Sequence, residues 1–475
     1  MVQRVYRTAH RIDQGEEGNA ILSFPSVIDG ISAIQYSQSV MGKRAYIETW
    51  GCQMNLHQSE GIAGVLQRAG YTLVEEIEEA DIVLFNGCMI RQKAEEKVYG
   101  RIGAVVEEKR KRSVLLGIGG CLGHLRGDSL LERFPAVDFV FGSRGHGSLP
   151  ERIEQLRRTG GRLPAQDPPT IEEVPFSRKS SVTAMVTIAE GCSNFCSYCI
   201  VPYARGPMRS RAPALVVREV EHLVSAGFQE VLLLGQNVNS YGRDRPEFGG
   251  FAELLDWVAR TRIPRVRFTT SHPRDMTVDV LKTMAARDNV CNHLHLPCQS
   301  GSDRILQAMR RGYNRGQYRS IVDAVRDVVE GVNLTTDIIV GYPGETESDF
   351  ADTMRLIEEV RFGSIFAAKY SPRPLTRSAL VEDDVSEGTK NERLQRILSR
   401  QREIALEENE RWVGRDVRVL IEGETRDGRL YGRADDHRTV VVEAGAIGEL
   451  ATVHVEGATA SALAGSVLIS AKGNS

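Results

Sequence analysis

Apolar and polar positions are spaced in three different ways along the chain, and each spacing predicts a different architecture. From Lys43 to about Arg158, "RAYIETWGC", "ADIVLFNGC" and "SVLLGIGGC" read as short buried strands, each closing in a small residue and a cysteine. Helical periodicities follow them, as in "SEGIAGVLQRAG" and "RQKAEEKVYGRIGAVVEEKRKR". Strand, helix, strand in that order predicts a parallel sheet. A Pro- and Gly-marked stretch, "GGRLPAQDPPTIEEVPFSRKS", interrupts the pattern. The alternation then resumes, with "SVTAMVTIAEGC", "EVLLLGQNV", "RVRFTTSHP", "CNHLHLPCQSG", "VNLTTDIIVGYPGE" and "SIFAAKYSPRP" as strands and helices such as "APALVVREVEHLVSAG" between them. A series of about six βα units predicts a parallel β/α barrel, complete or partial, with its functional groups on the strand-end loops. After Ser386, "NERLQRILSRQREIALEENERW" predicts an amphipathic helix with Leu394, Leu398 and Ala405 on one side. The alternating runs "DVRVLIEGE", "LYGRA", "TVVVEAG" and "ATVHVEG" then predict a small antiparallel barrel of the oligonucleotide-binding kind.

The expected organisation is therefore α/β: a leader over 1–42, a parallel α/β domain over 43–158, a barrel over 178–385, a connecting helix over 386–411 and a small β-barrel over 412–475. Met41 in "MGKRAYIETWGC" is a candidate start. A chain of 475 residues exceeds what one compact core accommodates. Hydrophobic content of 41% and charged content of 26% place it among ordinary globular proteins. No apolar run approaches the roughly 20 residues needed to span a bilayer. The leader carries Arg4, Arg7, Arg11, Asp13, Glu16 and Glu17, unlike a secretory signal. The cytoplasm is the expected compartment.

Formal charge of -3 leaves nucleic-acid binding to local concentrations of basic residues. Arg411, Arg415, Arg418, Arg426, Arg429 and Arg433 form one such group, and Arg205, Arg209 and Arg211 another. Each group fits RNA contacts or a solvated face.

Eight cysteines in a large cytoplasmic chain point to metal ligation, catalysis or buried thiols before disulfides. Cys192, Cys196 and Cys199 form CxxxCxxC on a loop after a predicted strand, with no fourth ligand at suitable spacing; His222 lies within a predicted helix. A structural zinc takes four ligands. Three thiolates on a cubane iron–sulfur cluster leave one iron open to a small molecule. Buried or zinc-binding thiols are the alternative. Cys52, Cys88 and Cys121 are far apart in sequence, yet each closes a predicted parallel strand, and the carboxyl ends of such strands share one crevice. A second cluster with an open iron and three buried structural thiols both fit that pattern. Cys291 and Cys298 flank "NHLHLP" and read as small packed hydrophobes. His293 and His295 share one side of a strand and read as satisfied core or surface histidines. Gln236 and Asn237, at a strand end, fit either a cofactor contact or a loop hydrogen bond.

Taken together, these residues resemble the radical S-adenosylmethionine (SAM) methylthiotransferases, from Arg44 to Leu468. The likeness is to the tRNA-modifying MiaB type, carried by "GCQMN", "IRQKAEEKV", "EGCSNFCSYCIVPYARG", "LGQNVNSYG", "RFTTSHP", "LPCQSGSDRIL" and "DIIVGYPGET" in that order. The resemblance implies an N-terminal cluster-binding domain, a radical SAM barrel and a TRAM RNA-binding domain. It implies two 4Fe-4S clusters, on Cys52/Cys88/Cys121 and on Cys192/Cys196/Cys199, and SAM as cofactor. One SAM would supply the methyl group for sulfur at the first cluster; a second, at the other cluster, would yield the radical that takes hydrogen from carbon 2 of an adenine. The substrate implied is isopentenyladenosine in a tRNA anticodon loop, with an electron donor such as flavodoxin or ferredoxin, no membrane and a monomeric chain. No side chain beyond the cluster ligands is expected to be catalytic. Threonylcarbamoyladenosine and a ribosomal protein aspartate are the alternative substrates. A non-catalytic iron–sulfur RNA-binding protein is the alternative of another class. The chain departs from the family's usual pattern at Gly87, where Thr is usual, and at Leu375, where Gly is common. The segment "GGCLGHLRGDSL" is also less typical.

Overall fold

The computed structural model describes residues 43–89, 92–164 and 173–468, so the expected leader lies outside the described residues. Two compact units emerge, one running to Lys179 and including Ile200–Pro207, the other combining Ser180–Cys199 with the chain from Met208 onward.

The first unit is built on a parallel sheet. Its strands are β1 (Arg44–Trp50), β2 (Thr72–Leu73), β3 (Ile82–Gly87), β4 (Leu115–Gly119) and β5 (Phe139–Val140), in the order β2-β1-β3-β4-β5. That is a doubly wound order, with the direction of winding reversing between β1 and β3. Helices α1 (Gln53–Arg68), α2 (Gln92–Lys111), α3 (Gly120–Arg126), α4 (Asp128–Arg133) and α5 (Leu149–Thr159) connect and cover it. Successive residues of each strand point to opposite faces. Tyr46, Val83, Phe85, Leu116 and Ile118 accordingly join the core that holds Val98, Ile102 and Val105 of α2. Ala45, Ile47, Ile82 and Leu84 join the other core, with Ile62 and Leu66 of α1 and Ile153 of α5. Burial on both faces explains why these strands read as unbroken apolar runs. Ile200 and Ala204, from the short helix Val201–Arg205 and its N-cap, enter the α2-side core.

In the second unit six parallel strands carry the barrel: β6 (Thr183–Thr187), β9 (Glu230–Leu234), β10 (Arg265–Thr269), β11 (His293–His295), β12 (Asn333–Val340) and β13 (Ser364–Lys369). The short strands β7 (Ala189–Glu190) and β8 (Arg209–Ser210) pair antiparallel beside them. Order β6-β9-β10 forms one ladder and β11-β12-β13 the other, joined by the single bridge Val266–Val290. Among the described residues β6 and β13 do not pair, so the barrel is partial. Helices α6 (Pro213–Ser225), α7 (Phe251–Ala259), α8 (Val278–Ala286), α9 (Asp303–Ala308), α10 (Arg315–Val328) and α11 (Glu347–Val360) follow the strands in turn.

The connecting helix, α12 (Glu387–Glu410), packs Leu394 and Ala405 inward as their spacing suggests, but its buried face also takes in polar residues and leaves Leu398 out. Lys390, Arg393, Ile397, Gln401 and Ile404 are buried, whereas Leu398 is 42% exposed. The polar members of that face have partners: Lys390 bonds Asp383, Arg393 bonds Glu345 at 2.8 Å, and Gln401 donates to the Phe362 carbonyl. Beyond it, β14 (Asp416–Glu424), β15 (Leu430–Ala434), β16 (Thr439–Val442), β17 (Leu450–Ala458) and β18 (Leu463–Val467) close a barrel in the order β14-β15-β16-β18-β17. It is antiparallel except for β16 and β18, which run parallel. The sequence pattern does not show β18, because "LAGSV" mixes small residues with weak strand preference. No described helix is long and apolar enough to cross a membrane.

This last barrel is seated on the amino ends of the β/α strands. Arg265, the first residue of β10, is fully buried and donates to the carbonyls of Arg433 at 2.7 Å and Ala434 at 2.8 Å. Asn333, which opens β12, donates to the Asp436 carbonyl, and the ring of His293, which opens β11, lies 4.6 Å from that of His437. Glu230 at the head of β9 is fully buried and holds Arg267 and Arg265.

Candidate iron–sulfur sites at the strand ends

The three wide-set cysteines meet the sheet at equivalent places. Cys52 caps the start of α1 just after β1, Cys88 directly follows β3, and Cys121 is the second residue of α3 just after β4. β1, β3 and β4 are neighbours, so the three thiols stand at the carboxyl ends of adjacent strands, next to the reversal in winding. Each cysteine follows a glycine, and at two of them the close fit shows why. Gly120 has φ of +77°, and a Cβ there would lie 2.2 Å from Asn86 Oδ1. A Cβ on Gly87 would fall 2.9 Å from Leu122 Cδ2 and 3.1 Å from Val98 Cγ2.

That contact accounts for the missing threonine at position 87: Leu122 already fills its space. Gly87→Thr is expected to destabilise the unit by about 1–3 kcal/mol through overpacking. Urea unfolding of Gly87→Thr alone and in a Leu122→Ala background tests this. The truncated leucine should remove part of the penalty, since the Cβ at position 122 and Val98 Cγ2 stay at 3.0 and 3.1 Å, and an equal penalty in both backgrounds would contradict the clash with the leucine tip.

Below the thiols, Asn55 and Asn86 lock α1 to β3. Asn55 Nδ2 donates to Asn86 Oδ1 at 3.1 Å, while Asn86 Nδ2 donates to the Asn55 carbonyl and to Ser59 Oγ, both at 2.8 Å. Cys52 Sγ donates to Asn55 Oδ1 at 3.3 Å. A hydrogen bond with Cys88 holds the Cys52 thiol down at about 5, helped by Arg205 and by the N–H groups of Asn55 and Met54 at the helix start. Burial pushes the Cys121 thiol up, and Arg205 opposes it. The Arg205 guanidinium is 2% exposed, with Nε 3.1 Å from Cys121 Sγ. It is therefore a partner of the thiols and not a solvent-facing guide for RNA.

The close-set cysteines occupy the loop that leaves β7. Cys192 and Cys196 are buried and Cys199 is half-buried. Ser197, between the last two, anchors the loop: its N–H donates to the Met309 carbonyl at 3.0 Å and its hydroxyl to the Ala308 carbonyl at 2.8 Å. Arg311 is 4% exposed and places Nη1 3.4 Å from Cys196 Sγ and 3.3 Å from the Tyr198 hydroxyl. Sequence reading missed Arg311, which lies five residues beyond the end of "LPCQSGSDRIL". Each thiol group thus has one buried guanidinium against one sulfur.

Around this loop the strand ends present polar atoms. Gln236 Oε1 accepts from the Gly191 N–H at 2.5 Å, and Asn237 Nδ2 donates to Asp275 at 2.5 Å, so both residues make loop hydrogen bonds. Their other atoms, Gln236 Nε2 and Asn237 Oδ1, are buried without a partner, as are Ser271 Oγ and His272 Nε2. Burial, with Arg311 adding to it, pushes His272 down to about 2, leaving a neutral ring. His293 and His295 are buried and share Thr335 Oγ1 at 3.0 Å each. Cys291 and Cys298 are buried at 3% and 0% exposure, the former against Arg265 and the latter pushed up to about 12 by burial.

Most arginines expected to meet RNA have protein partners. Arg433 is buried against Glu422, Arg211 pairs with Glu219, and Arg411, Arg418 and Arg429 pair with Glu408, Asp435 and Asp427. Arg415 lies over the Trp412 ring.

No three described His, Cys, Asp or Glu side chains converge tightly enough for a single metal ion. A cubane cluster takes each thiolate on a different iron, so its ligands need not converge on one point. Three thiols with an adjacent buried cation suit that anionic group better than a zinc ion, which gathers four ligands about itself.

Residues 44–142 match the uncharacterized protein family UPF0004, residues 186–357 the radical SAM superfamily and residues 410–468 the TRAM domain. The radical SAM methyltransferase TsrM from Kitasatospora setae, with cobalamin and a [4Fe-4S] cluster bound, shares the fold. Its TM-score is 0.53 at 14% identity, over 71% of this chain and 74% of that one. The protein is a radical SAM enzyme. It is 42% identical over 404 residues to the tRNA-2-methylthio-N(6)-dimethylallyladenosine synthase of Clostridium tetani, covering 83% of this chain and 89% of that one. The same-named protein of Syntrophobacter fumaroxidans is 45% identical over the same shares. The chain belongs to the tRNA-2-methylthio-N(6)-dimethylallyladenosine synthase family.

Proposed function

We propose that this protein adds a methylthio group to carbon 2 of isopentenyladenosine beside the anticodon of tRNA, in the cytoplasm. The observation that supports this most is identity of 40–45% to proteins of that name along most of the chain. Cys192, Cys196 and Cys199 would hold one [4Fe-4S] cluster and Cys52, Cys88 and Cys121 the other. When bound, the clusters with SAM supply the sulfur, its methyl group and the radical that opens the carbon–hydrogen bond. The protein's own part is ligation, orientation and exclusion of water. Arg205 and Arg311 would offset the negative charge that each thiolate set brings into a buried place. The partnerless atoms of Gln236, Asn237, Ser271 and His272 are suited to the polar groups of SAM. A one-electron donor such as flavodoxin or ferredoxin completes the system.

The substrate is tested by competition. Two tRNAs, one carrying isopentenyladenosine and one threonylcarbamoyladenosine, are offered to reduced enzyme with SAM and sulfide, and the nucleosides are analysed by mass spectrometry. The methylthio group is expected on the isopentenyl nucleoside alone. A product mainly on the other tRNA, or on a ribosomal protein, would reassign the substrate.

A further inference from the structure

Alternate residues of β11, β12 and β13 face the barrel interior, because Leu294, Leu334, Ile338 and Ile365 point the other way, into the core shared with Val322 of α10 and Ile357 of α11. The inward set begins with closed polar contacts, where Thr335 Oγ1 holds His293 and His295. Further along β12 the wall opens. Asp337 stands beside Phe366 of β13, and Ile339 beside Ala368. The Asp337 side chain is 38% exposed, Ile339 and Phe366 are half-buried, and Ala368 is exposed. One carboxylate is thus set among apolar side chains. Among the described residues it accepts no hydrogen bond, and its one ionic neighbour is His295, with Nε2 3.5 Å away.

Two features tie this patch to the reaction. Ile339 packs in the cluster that includes Tyr198, which stands between Cys196 and Cys199, and Asp337 lies two residues earlier, about 7 Å along the strand. β13 is paired on one side only, so the barrel wall stops at Phe366 and Ala368. A base splayed from an RNA loop has a way in there. The partnerless atoms suited to SAM follow β9 and β10, in the other ladder. A carboxylate can only accept hydrogen bonds. An N6-alkylated adenine has a single donor, its N6–H, and the alkyl chain hangs from that same nitrogen. An acceptor bordered by apolar side chains matches that edge of the base.

We propose that Asp337 accepts the N6–H of the reacting adenine, with Phe366 and Ile339 against the isopentenyl chain. This deepens, and rests on, the reading of isopentenyladenosine as the substrate. Asp337 determines specificity by holding the base; no bond of the reaction breaks or forms on it.

The test uses the reconstituted full chain and two fluorescently labelled anticodon stem-loop RNAs. One carries N6-isopentenyladenosine and the other N6-methyl-N6-isopentenyladenosine, which has the same chain but no N6–H. Binding is followed by anisotropy, without turnover. The wild type should prefer the first RNA about tenfold or more, the scale of a hydrogen bond to a charged group. Asp337→Leu keeps the bulk and loses the acceptor; it should weaken the first RNA by that factor and leave the second unchanged. Asp337→Asn, which retains an acceptor oxygen, should keep part of the preference. Phe366→Ala should reduce the preference for isopentenyladenosine over plain adenosine at the same position. Equal weakening of both RNAs by Asp337→Leu, or no weakening of either, would overturn the proposal. So would a loss of SAM affinity in Asp337→Leu with the RNA preference intact, which would assign the carboxylate to the ribose hydroxyls of SAM. Failure of the wild type to form the methylthio product would refute the functional reading separately, since the binding preference is measured without it.

Discussion

With Cys192, Cys196 and Cys199 all changed to alanine, the reconstituted protein is expected to hold about four irons in place of about eight and to lose SAM cleavage altogether. With Cys52, Cys88 and Cys121 changed instead, the iron should again fall by half, but SAM cleavage should continue and the methylthio product should vanish. The asymmetry follows from the two settings. The close-set thiols lie on a barrel loop among partnerless polar atoms suited to SAM, whereas the wide-set thiols end the strands of another unit. Iron and sulfide determination with an assay for 5′-deoxyadenosine decides it. Full iron in either triple variant would remove that triple from the ligand set.

Changing Glu230 is expected to be the most damaging substitution away from the cysteines. Glu230 is fully buried, takes a hydrogen bond from Thr183 at 3.2 Å and holds Arg267 and Arg265 together. Asp435 stands as near Arg265 as Glu230 does, at 3.5 Å, but is not fully buried, and Glu422 lies 3.9 Å from Arg267. Glu230→Gln should therefore cost about 3–5 kcal/mol, the scale for removing one partner from a buried ion pair. Burial opposes ionisation of Glu230, but the charges of Arg267 and Arg265 outweigh it and lower the pKa from its ordinary 4.5. The stability this gives is whole above pH 4.5 and is lost as pH falls from there through the folded-state value. Urea midpoints from pH 7 to pH 3 should show a steeper acid-side decline in the wild type than in the variant. A variant within about 1 kcal/mol of wild type at pH 7 would show that the arginines need no such partner.

The sequence was most readable where one physical constraint dominates. Strands buried on both faces must be largely apolar, so β1, β3, β4, β6 and β9 were all visible, and so was the cysteine that closes each of the first three. β2 and β5, of two residues each, and β18 carry no such run. Arginine was the chief source of error. Arg205, Arg211 and Arg433 looked like a surface for RNA, and all three are buried. One-dimensional spacing shows that a side chain is charged; it does not show whether a carboxylate or thiol waits beside it. The connecting helix misled in part for the same reason: Leu394 and Ala405 do face the core, but Leu398 does not. Its inner face includes Lys390, Arg393 and Gln401, whose partners come from residues 345, 362 and 383. Leu375 is a smaller example. Its φ of +68° explains why the family commonly has glycine there, while this chain tolerates an exposed leucine.

The seating of the terminal barrel on Arg265, His293 and Asn333 sets a distance. Those residues open their strands, whereas Gln236, His272 and the cysteine loop lie beyond the opposite ends. β12 has eight residues, which at about 3.3 Å per residue makes it about 26 Å long. An RNA gripped by the terminal domain while one base reaches the cysteine loop must bridge that length. The strand acts as a ruler, and a substrate trimmed below its span keeps the reacting base but gives up the distant hold.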